Sequence, residues 1–158
     1  MAKAALFPGS FDPFTIGHDS VVERSLKLFD RVVIGIGENS SKNYLFSIDQ
    51  RLAFINSVAE KWGNQVEVVA YSGLTTDYCR KHELKFIIRG IRNSRDFQYE
   101  KEIAGMNMLL DPELETVMIV SAPEHVVINA TIVREIYRNN GDVTPFLPLG
   151  SKLPEILK

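Results

Sequence analysis

The residues best suited to chemistry lie near the N-terminus, in a loop between an apolar run and a segment of helical period. This loop, Pro8–His18, contains two prolines, two glycines, the hydroxyl of Ser10 and the imidazole of His18. Glycine and proline let the backbone turn sharply and approach a ligand closely. The helix N-terminus that follows exposes free N–H groups and a partial positive charge. The loop therefore predicts a polyphosphate site, the alternative being a plain strand–helix connection with His18 at the surface or in a cap.

Basic side chains follow two further apolar runs. Lys42 lies in the polar loop after the second run, and Arg89 and Arg92 bracket a glycine at the end of the fourth. An arginine that leaves a buried strand needs an anionic partner, and guanidinium groups suit bidentate phosphate contacts. The alternative is an ion pair within the chain, with Asp96 or Glu100 as the partner.

A third candidate segment precedes the last predicted helix. Asn129 and Thr131 lie where that helix begins, and both can bind a phosphate or cap the helix. Capping alone accounts for Asn129, and the two roles are compatible.

The elements that must position these residues alternate along the chain. Short apolar runs predict buried parallel strands at Ala4–Phe7, Arg31–Ile36, Val66–Ala70, Phe86–Ile88 and Thr116–Val120. Segments of helical character follow the strands. In the first, Val22, Leu26 and Phe29 share one face, and the second begins with a capping box at Ser47–Gln50. The other three helices are predicted at 75–83, at 94–110, and from 130 to about 137. This alternation predicts an α/β fold with a doubly wound, five-stranded parallel sheet. Ligands of such sheets bind beyond the carboxyl ends of the strands.

Size and composition narrow the class of protein. The 158 residues, 45% of them hydrophobic, suit a single domain over 1–158. The net charge of −2, with scattered basic residues, argues against a nucleic-acid surface, and no apolar stretch approaches the ~20 residues of a membrane span. The single Cys79 excludes an internal disulfide. With no secretory signal in the sequence, we expect a cytoplasmic protein.

A second glycine motif offers a redox alternative that we reject. The run Gly35-Ile-Gly37-Glu38-Asn39-Ser40 resembles half of a dinucleotide fingerprint. It does not occupy the first strand–helix turn, it ends in serine, and no helix signal follows it at once. We interpret it as a strand end and a loop.

Taken together, these motifs resemble those of the phosphopantetheine adenylyltransferase family, within the nucleotidyltransferase superfamily that shares a T/H-x-G-H loop. The resemblance runs essentially end to end, through Gly9–Pro13, Thr15-x-Gly17-His18, Ser41-Lys42, Arg89–Arg92, Asp96–Glu100, Met106-Asn107, Gly141–Val143 and Phe146–Pro148. It implies a Rossmann-like nucleotidyltransferase fold and transfer of AMP from ATP to 4′-phosphopantetheine, which yields dephospho-CoA and pyrophosphate.

The resemblance also implies roles for individual residues. His18, with Lys42 and Arg92, would act in catalysis. The acceptor would be held by Ser10, Lys42, Thr75 and Arg89. ATP would be held by Ser10, Phe11, His18, Gly90, Ile91, Arg92, Glu100, His125, Val126, Val127, Ile128, Asn129, Ala130 and Thr131.

Three positions depart from the family pattern. Ser10 replaces a threonine but keeps the hydroxyl, and Thr75 stands where an aliphatic residue is usual. Ala130 replaces a serine, so that the ATP contact there must come from the backbone or from Thr131.

The acceptor phosphate of such a reaction needs no general base. Its second pKa is about 6, so it is largely a dianion near pH 7. We therefore expect in-line attack on the α-phosphorus, catalysed by positioning and charge stabilisation.

The resemblance further implies Mg²⁺ bound with ATP, a homohexamer and possible feedback binding of coenzyme A. No His, Cys and Asp cluster has the spacing of a protein-held transition metal. Two rival functions remain open: a related transferase with nicotinamide mononucleotide or an alcohol phosphate as acceptor, and a non-catalytic sensor of ATP or coenzyme A.

Overall fold

The computed structural model describes residues 2–151, so Met1 and 152–158 of the predicted domain lie outside the described residues. Five strands form one sheet in the order β3-β2-β1-β4-β5, and every neighbouring pair is parallel. Their bounds are β1 Ala4–Gly9, β2 Arg31–Gly37, β3 Val66–Tyr71, β4 Phe86–Ile91 and β5 Glu115–Val120. The predicted five-stranded parallel sheet is confirmed.

Four α-helices connect the strands and a fifth follows β5, all close to the predicted positions. They are α1 Ile16–Ser25, α2 Ile48–Ala59, α3 Thr75–Lys81, α4 Ser94–Leu110 and α5 Ala130–Arg138. The capping box predicted for α2 is present: Ser47 Oγ accepts the Gln50 N–H at 3.1 Å and Gln50 Oε1 accepts the Ser47 N–H at 2.9 Å. These reciprocal bonds satisfy two backbone donors that the first turn leaves free.

The ends of several elements differ from the sequence prediction, most of all those of α1, β1 and β4. Helix α1 ends at Ser25, before two of the three residues predicted for its apolar face, although Phe29 is still buried beyond it. Strand β1 continues through Gly9 because it pairs with β2 up to Ile36. Strand β4 continues through Ile91 because it pairs with β5 up to Val120. Arg89 and Gly90 therefore belong to a strand and are held by the sheet.

Apolar side chains pack on both faces of the sheet. Ala5 and Phe7 of β1 belong to a cluster with α1, α2 and α5, while the intervening Leu6 belongs to a second cluster with Cys79 of α3. This alternation is the period-two pattern of a strand covered on both sides. No helix in residues 2–151 has the length and apolarity required to cross a membrane.

Candidate active site

Two adjoining cavities open at the carboxyl edge of the sheet, where predicted site residues meet. The first measures about 550 Å³ and is lined by the Pro8–His18 loop, the end of β4 and the start of α5; we name it the nucleotide cavity after the ligand expected from the sequence. The second measures about 520 Å³ and is lined by the loop after β2, the end of β3, and parts of α3 and α4; we name it the acceptor cavity on the same basis. Both are lined by Ser10, Arg89 and Glu100. These three residues therefore lie where the cavities join.

The Pro8–His18 loop is fixed by charged residues from distant parts of the chain. The Asp12 carboxylate accepts the backbone N–H groups at 45–46, at 2.8 and 2.9 Å. Arg51 Nη1 donates to the Ser10 carbonyl at 2.8 Å, and Arg134 Nη1 donates to the Asp12 carbonyl at 2.8 Å. Asp12 and Arg51 are buried, so these charge-assisted bonds are shielded from water. The loop is thereby held in one conformation.

Phe11 occupies an unusual backbone conformation within this loop. Its φ is 47°, in the left-handed region that costs a non-glycine residue about 1–2 kcal/mol. Its ring is 4% exposed and lies 5.1 Å from the His18 ring between centroids, edge to face. A Cβ atom at Gly9 would lie 2.8 Å from Phe11 Cζ. Glycine at position 9 therefore makes room for the aromatic ring that supports His18.

His18 is the third residue of α1 and completes a capping box with Thr15. The Thr15 N–H donates to His18 Nδ1 at 2.9 Å, and a backbone N–H can only donate. Nδ1 is therefore the acceptor, so the proton of the neutral ring lies on Nε2. Burial, and then the charges of Arg92 and Arg89, lower the pKa of His18 to about 3. The half-buried ring is thus a neutral hydrogen-bond donor near pH 7.

Arg89 forms the ion pair that the sequence left as an alternative. Its Nε and Nη2 donate to the two oxygens of Glu100 at 2.7 and 2.6 Å, and its Nη1 donates to the Pro8 carbonyl at 2.6 Å. An arginine has five N–H donors, so these bonds leave further donors for a ligand. The partly exposed guanidinium is therefore oriented before any anion binds.

Arg92 is paired in the same way with Asp96, one helical turn later. Its Nε and its backbone N–H both donate to Asp96 Oδ2 at 3.0 Å. Its Nη1 also donates to the Ile128 carbonyl at 3.4 Å. Arg92 thus connects the end of β4 to the segment before α5, and all three residues line the nucleotide cavity.

The segment before α5 contributes only some of its predicted residues. His125, Ile128, Asn129, Ala130 and Thr131 line the nucleotide cavity. Asn129 Oδ1 accepts the Ile132 N–H at 2.9 Å, which is the predicted cap. Ala130 begins α5, where backbone N–H groups lack partners within the helix. Gly90 lines the nucleotide cavity, whereas Ile91, Val126 and Val127 line neither cavity.

Lys42 and Thr75 line the acceptor cavity, as do Ser10 and Arg89. Lys42 is exposed and belongs to no ion pair in the part of the chain that the structure describes. The four residues assigned to the acceptor by resemblance therefore share one cavity. Its cationic side chains and hydroxyls suit an anionic ligand with a polar arm.

Sequence reasoning missed several residues that shape the site. Asp12 belongs to the Gly9–Pro13 motif, but the sequence predicts no role for it, and it predicts Asp96 only as an alternative partner for an arginine. Arg51 and Arg134 carry no sequence signal, because each acts on a loop that is far away along the chain. Within residues 2–151, no group of three or more His, Cys, Asp or Glu side chains is arranged to hold a metal ion.

Comparisons with known proteins found a matching family and similar curated proteins. Residues 6–136 match the model of a family described as cytidylyltransferase-like. The phosphopantetheine adenylyltransferase of Cytophaga hutchinsonii is 47% identical over 148 residues, which is 94% of this chain and 98% of that protein. The protein of the same name from Phocaeicola vulgatus is 47% identical over 151 residues, covering 96% and 99% of the two chains.

Solved structures share the fold at much lower identity. A bifunctional NMN adenylyltransferase/ADP ribose pyrophosphatase from Francisella tularensis superposes with a TM-score of 0.74 at 19% identity, covering 99% of this chain and 49% of that longer one. A protein described as a putative nicotinate-nucleotide adenylyltransferase from Vibrio parahaemolyticus gives 0.66 at 21% identity, with complete coverage of both chains. At these identities the likeness concerns the fold alone.

Proposed function

The chain belongs to the phosphopantetheine adenylyltransferases of the cytidylyltransferase-like family, and on that premise we propose how its cavities carry out the reaction. AMP passes from ATP to the phosphate of 4′-phosphopantetheine, giving dephospho-CoA and pyrophosphate. One observation carries the proposal: the nucleotide cavity and the acceptor cavity meet at Ser10 and Arg89. A transfer between two phosphates needs such a junction, because the reacting groups must be adjacent and aligned.

ATP occupies the nucleotide cavity with its α-phosphate close to His18. The neutral ring donates through Nε2–H to a non-bridging oxygen and stabilises the charge that develops there. The neutral ring carries this proton on Nε2 because Nδ1 accepts the Thr15 N–H. Arg92, His125 and the backbone N–H groups at the start of α5 bind the remaining phosphates.

The acceptor phosphate binds between Lys42, Arg89 and the hydroxyl of Ser10. Lys42 supplies a mobile positive charge, and Arg89 supplies N–H donors whose direction is fixed by Glu100. An oxygen of this dianion attacks the α-phosphorus in line, a new P–O bond forms, and the bond to the leaving pyrophosphate breaks. No residue has to remove a proton from the nucleophile near pH 7.

Mg²⁺ enters with ATP as part of the substrate. This assignment is consistent with the donor set. The carboxylates of Asp96 and Glu100 line the nucleotide cavity, but they already form ion pairs with Arg92 and Arg89. Mg²⁺ commonly binds through phosphate oxygens and water, with few protein ligands. The ion neutralises the phosphates while the protein orients them.

We also propose assembly of several copies, in keeping with the predicted homohexamer. In helix α4, Glu100 is buried, whereas Phe97, Tyr99, Met106, Met108, Leu109 and Leu110 are between 44% and 79% exposed. An apolar surface of this kind is typical of an interface.

Coenzyme A contains the acceptor arm and an adenosine moiety, so it would occupy both cavities and act as a feedback ligand. A cytoplasmic location is consistent with the proposed substrates and with the single cysteine, which forms no internal disulfide.

The test is incubation of the purified chain with ATP, Mg²⁺ and 4′-phosphopantetheine, followed by mass identification of the products. We expect dephospho-CoA and stoichiometric pyrophosphate. Parallel reactions with nicotinamide mononucleotide, an alcohol phosphate, or CTP in place of ATP serve as controls. Faster turnover of another pair would reassign the substrate, and ATP binding without pyrophosphate release from any pair would favour a sensor.

A further inference from the structure

The glycines of the rejected dinucleotide motif have another physical role. Gly35 and Gly37 lie on one face of β2, and Gly37 pairs directly with Tyr71 at the end of β3. A Cβ atom at Gly35 would lie 2.9 Å from Tyr71 Cε1, and one at Gly37 would lie 3.3 Å from Tyr71 Oη. The missing side chains therefore leave the space in which the Tyr71 ring lies across β2.

The Tyr71 hydroxyl is held at a fixed position by a second hydroxyl. Tyr71 Oη and Thr75 Oγ1 are 2.9 Å apart, and Thr75 begins α3. In such a pair one hydroxyl donates to the other, so one O–H and several lone pairs remain available. A group with a donor and an acceptor side by side, such as an amide, matches that set.

Both residues of this hydroxyl pair line the acceptor cavity. Tyr71 is 8% exposed, yet it lines that cavity together with Thr75, Asn107 and Lys42. Strand β3 is two strands away from β1, and strands are about 4.8 Å apart. The Tyr71 backbone therefore lies roughly 10 Å from that of Ser10 across the sheet, and its ring lies over β2 between them. The arm of an acceptor held by its phosphate at Ser10 can therefore reach the Tyr71 hydroxyl.

We propose that Tyr71 is a specificity-determining residue whose hydroxyl, oriented by Thr75, forms hydrogen bonds with an amide of the acceptor arm. The inference rests on the proposed function, because it concerns the arm of the same acceptor. Burial raises the pKa of Tyr71, so its hydroxyl keeps its proton at neutral pH. The outer face of the Tyr71 ring packs on Tyr78, with centroids 4.8 Å apart, which limits its movement.

The test compares two acceptors in Tyr71→Phe and Thr75→Val, which remove one hydroxyl each with little change of shape. The first acceptor is 4′-phosphopantetheine, and the second is the phosphate monoester of 2,2-dimethylpropane-1,3-diol, which contains no amide. For 4′-phosphopantetheine we expect the KM to rise about 2–12-fold in each variant, the range of a net hydrogen bond. For the short acceptor, and for ATP, we expect no change.

Tyr78→Phe is the matched control, since it removes a hydroxyl from the neighbouring ring, which does not line the cavity. Unchanged kinetics in Tyr71→Phe and Thr75→Val, or an equal change with both acceptors, would overturn the inference. Equal changes would indicate a purely structural hydroxyl pair. A wild-type chain that makes no dephospho-CoA would instead overturn the proposed function. The two failures are distinguishable, because the first is seen in the variants and the second in the wild type alone.

Discussion

The Thr15 N–H donates to Nδ1 of His18 at 2.9 Å, so one side of the imidazole is committed to the start of α1. The opposite nitrogen, Nε2, is left with its proton, and His18 lines the nucleotide cavity. A helix cap thus determines the tautomer of the ring. The local fold and the proposed chemistry depend on the same hydrogen bond.

We predict that His18 stays neutral throughout the working pH range. Its pKa in the folded chain is about 3, against an ordinary value of 6.5. Histidine NMR signals, with that of His18 identified by its loss in His18→Asn, should show no titration of this ring between about pH 5 and 8. The acid limb of the rate profile should lie near the acceptor's second pKa, about 6. A His18 midpoint near 6.5 would contradict this.

The same shift predicts how His18 affects stability. Between about pH 3 and pH 6.5, His18 is protonated in the unfolded chain but not in the folded chain. The free energy of unfolding of the wild type should therefore fall with acidification across this window more steeply than that of His18→Asn. Above pH 6.5 both states are neutral, and the two curves should run parallel. Chemical denaturation at a series of pH values measures this difference.

Removal of the Nε2–H donor should reduce turnover while the chain remains folded. Loss of one preorganised donor costs about 2.7–4 kcal/mol, or about 10²–10³ in rate. We expect this loss of kcat in His18→Ala. In His18→Asn the amide oxygen can still accept the Thr15 N–H, so this variant should lose comparable activity while retaining more of the thermal stability. Near-normal turnover in both variants would remove His18 from its catalytic role.

Lys42→Ala should mainly weaken acceptor binding. The exposed ammonium has no ion pair to lose among the described residues, so stability should not change. A charge-assisted contact is worth about 1.5–3 kcal/mol, so the KM for 4′-phosphopantetheine should rise roughly tenfold or more, with kcat little affected. Lys85→Ala, which removes an exposed lysine paired with Glu113 and lining neither cavity, is the control. A fall in kcat at constant KM would argue against this role.

Gly9→Ala should disturb the support of His18. The added Cβ would lie 2.8 Å from Phe11 Cζ, so the ring that packs edge to face on His18 must shift. We expect reduced kcat and lower thermal stability, measured by steady-state kinetics and thermal unfolding. Gly105→Ala in α4 meets no atom within 4 Å and should be neutral or stabilising by about 0.4–1 kcal/mol. Normal kcat in Gly9→Ala would show that the Phe11 ring does not position His18.

The sequence predicts the sheet and the residues at its carboxyl edge well, because the relevant information is local. Each strand is a short apolar run, and most candidate residues lie at a strand end or in the segment that directly follows it. Ser10, His18, Lys42 and Arg89 therefore reach the same edge once the strands are parallel. The cap at Asn129 was predictable for the same reason.

The remaining contacts depend on distances along the chain that no local pattern encodes. The bond from Arg134 to the Asp12 carbonyl spans 122 residues, and that from Arg51 to Ser10 spans 41. The place of Tyr71 over Gly35 and Gly37 follows from the strand order, which the alternation of elements does not specify. The ion pair between Arg89 and Glu100 depends in addition on how α4 packs against β4.

A crystal structure with a non-hydrolysable ATP analogue tests the central claim most directly. We predict that a non-bridging oxygen of the α-phosphate lies about 2.7–3.2 Å from His18 Nε2, the distance of a hydrogen bond, with Nδ1 still bound to Thr15. A triphosphate bound away from the Pro8–His18 loop, or a ring whose Nε2 points away from it, would contradict the account.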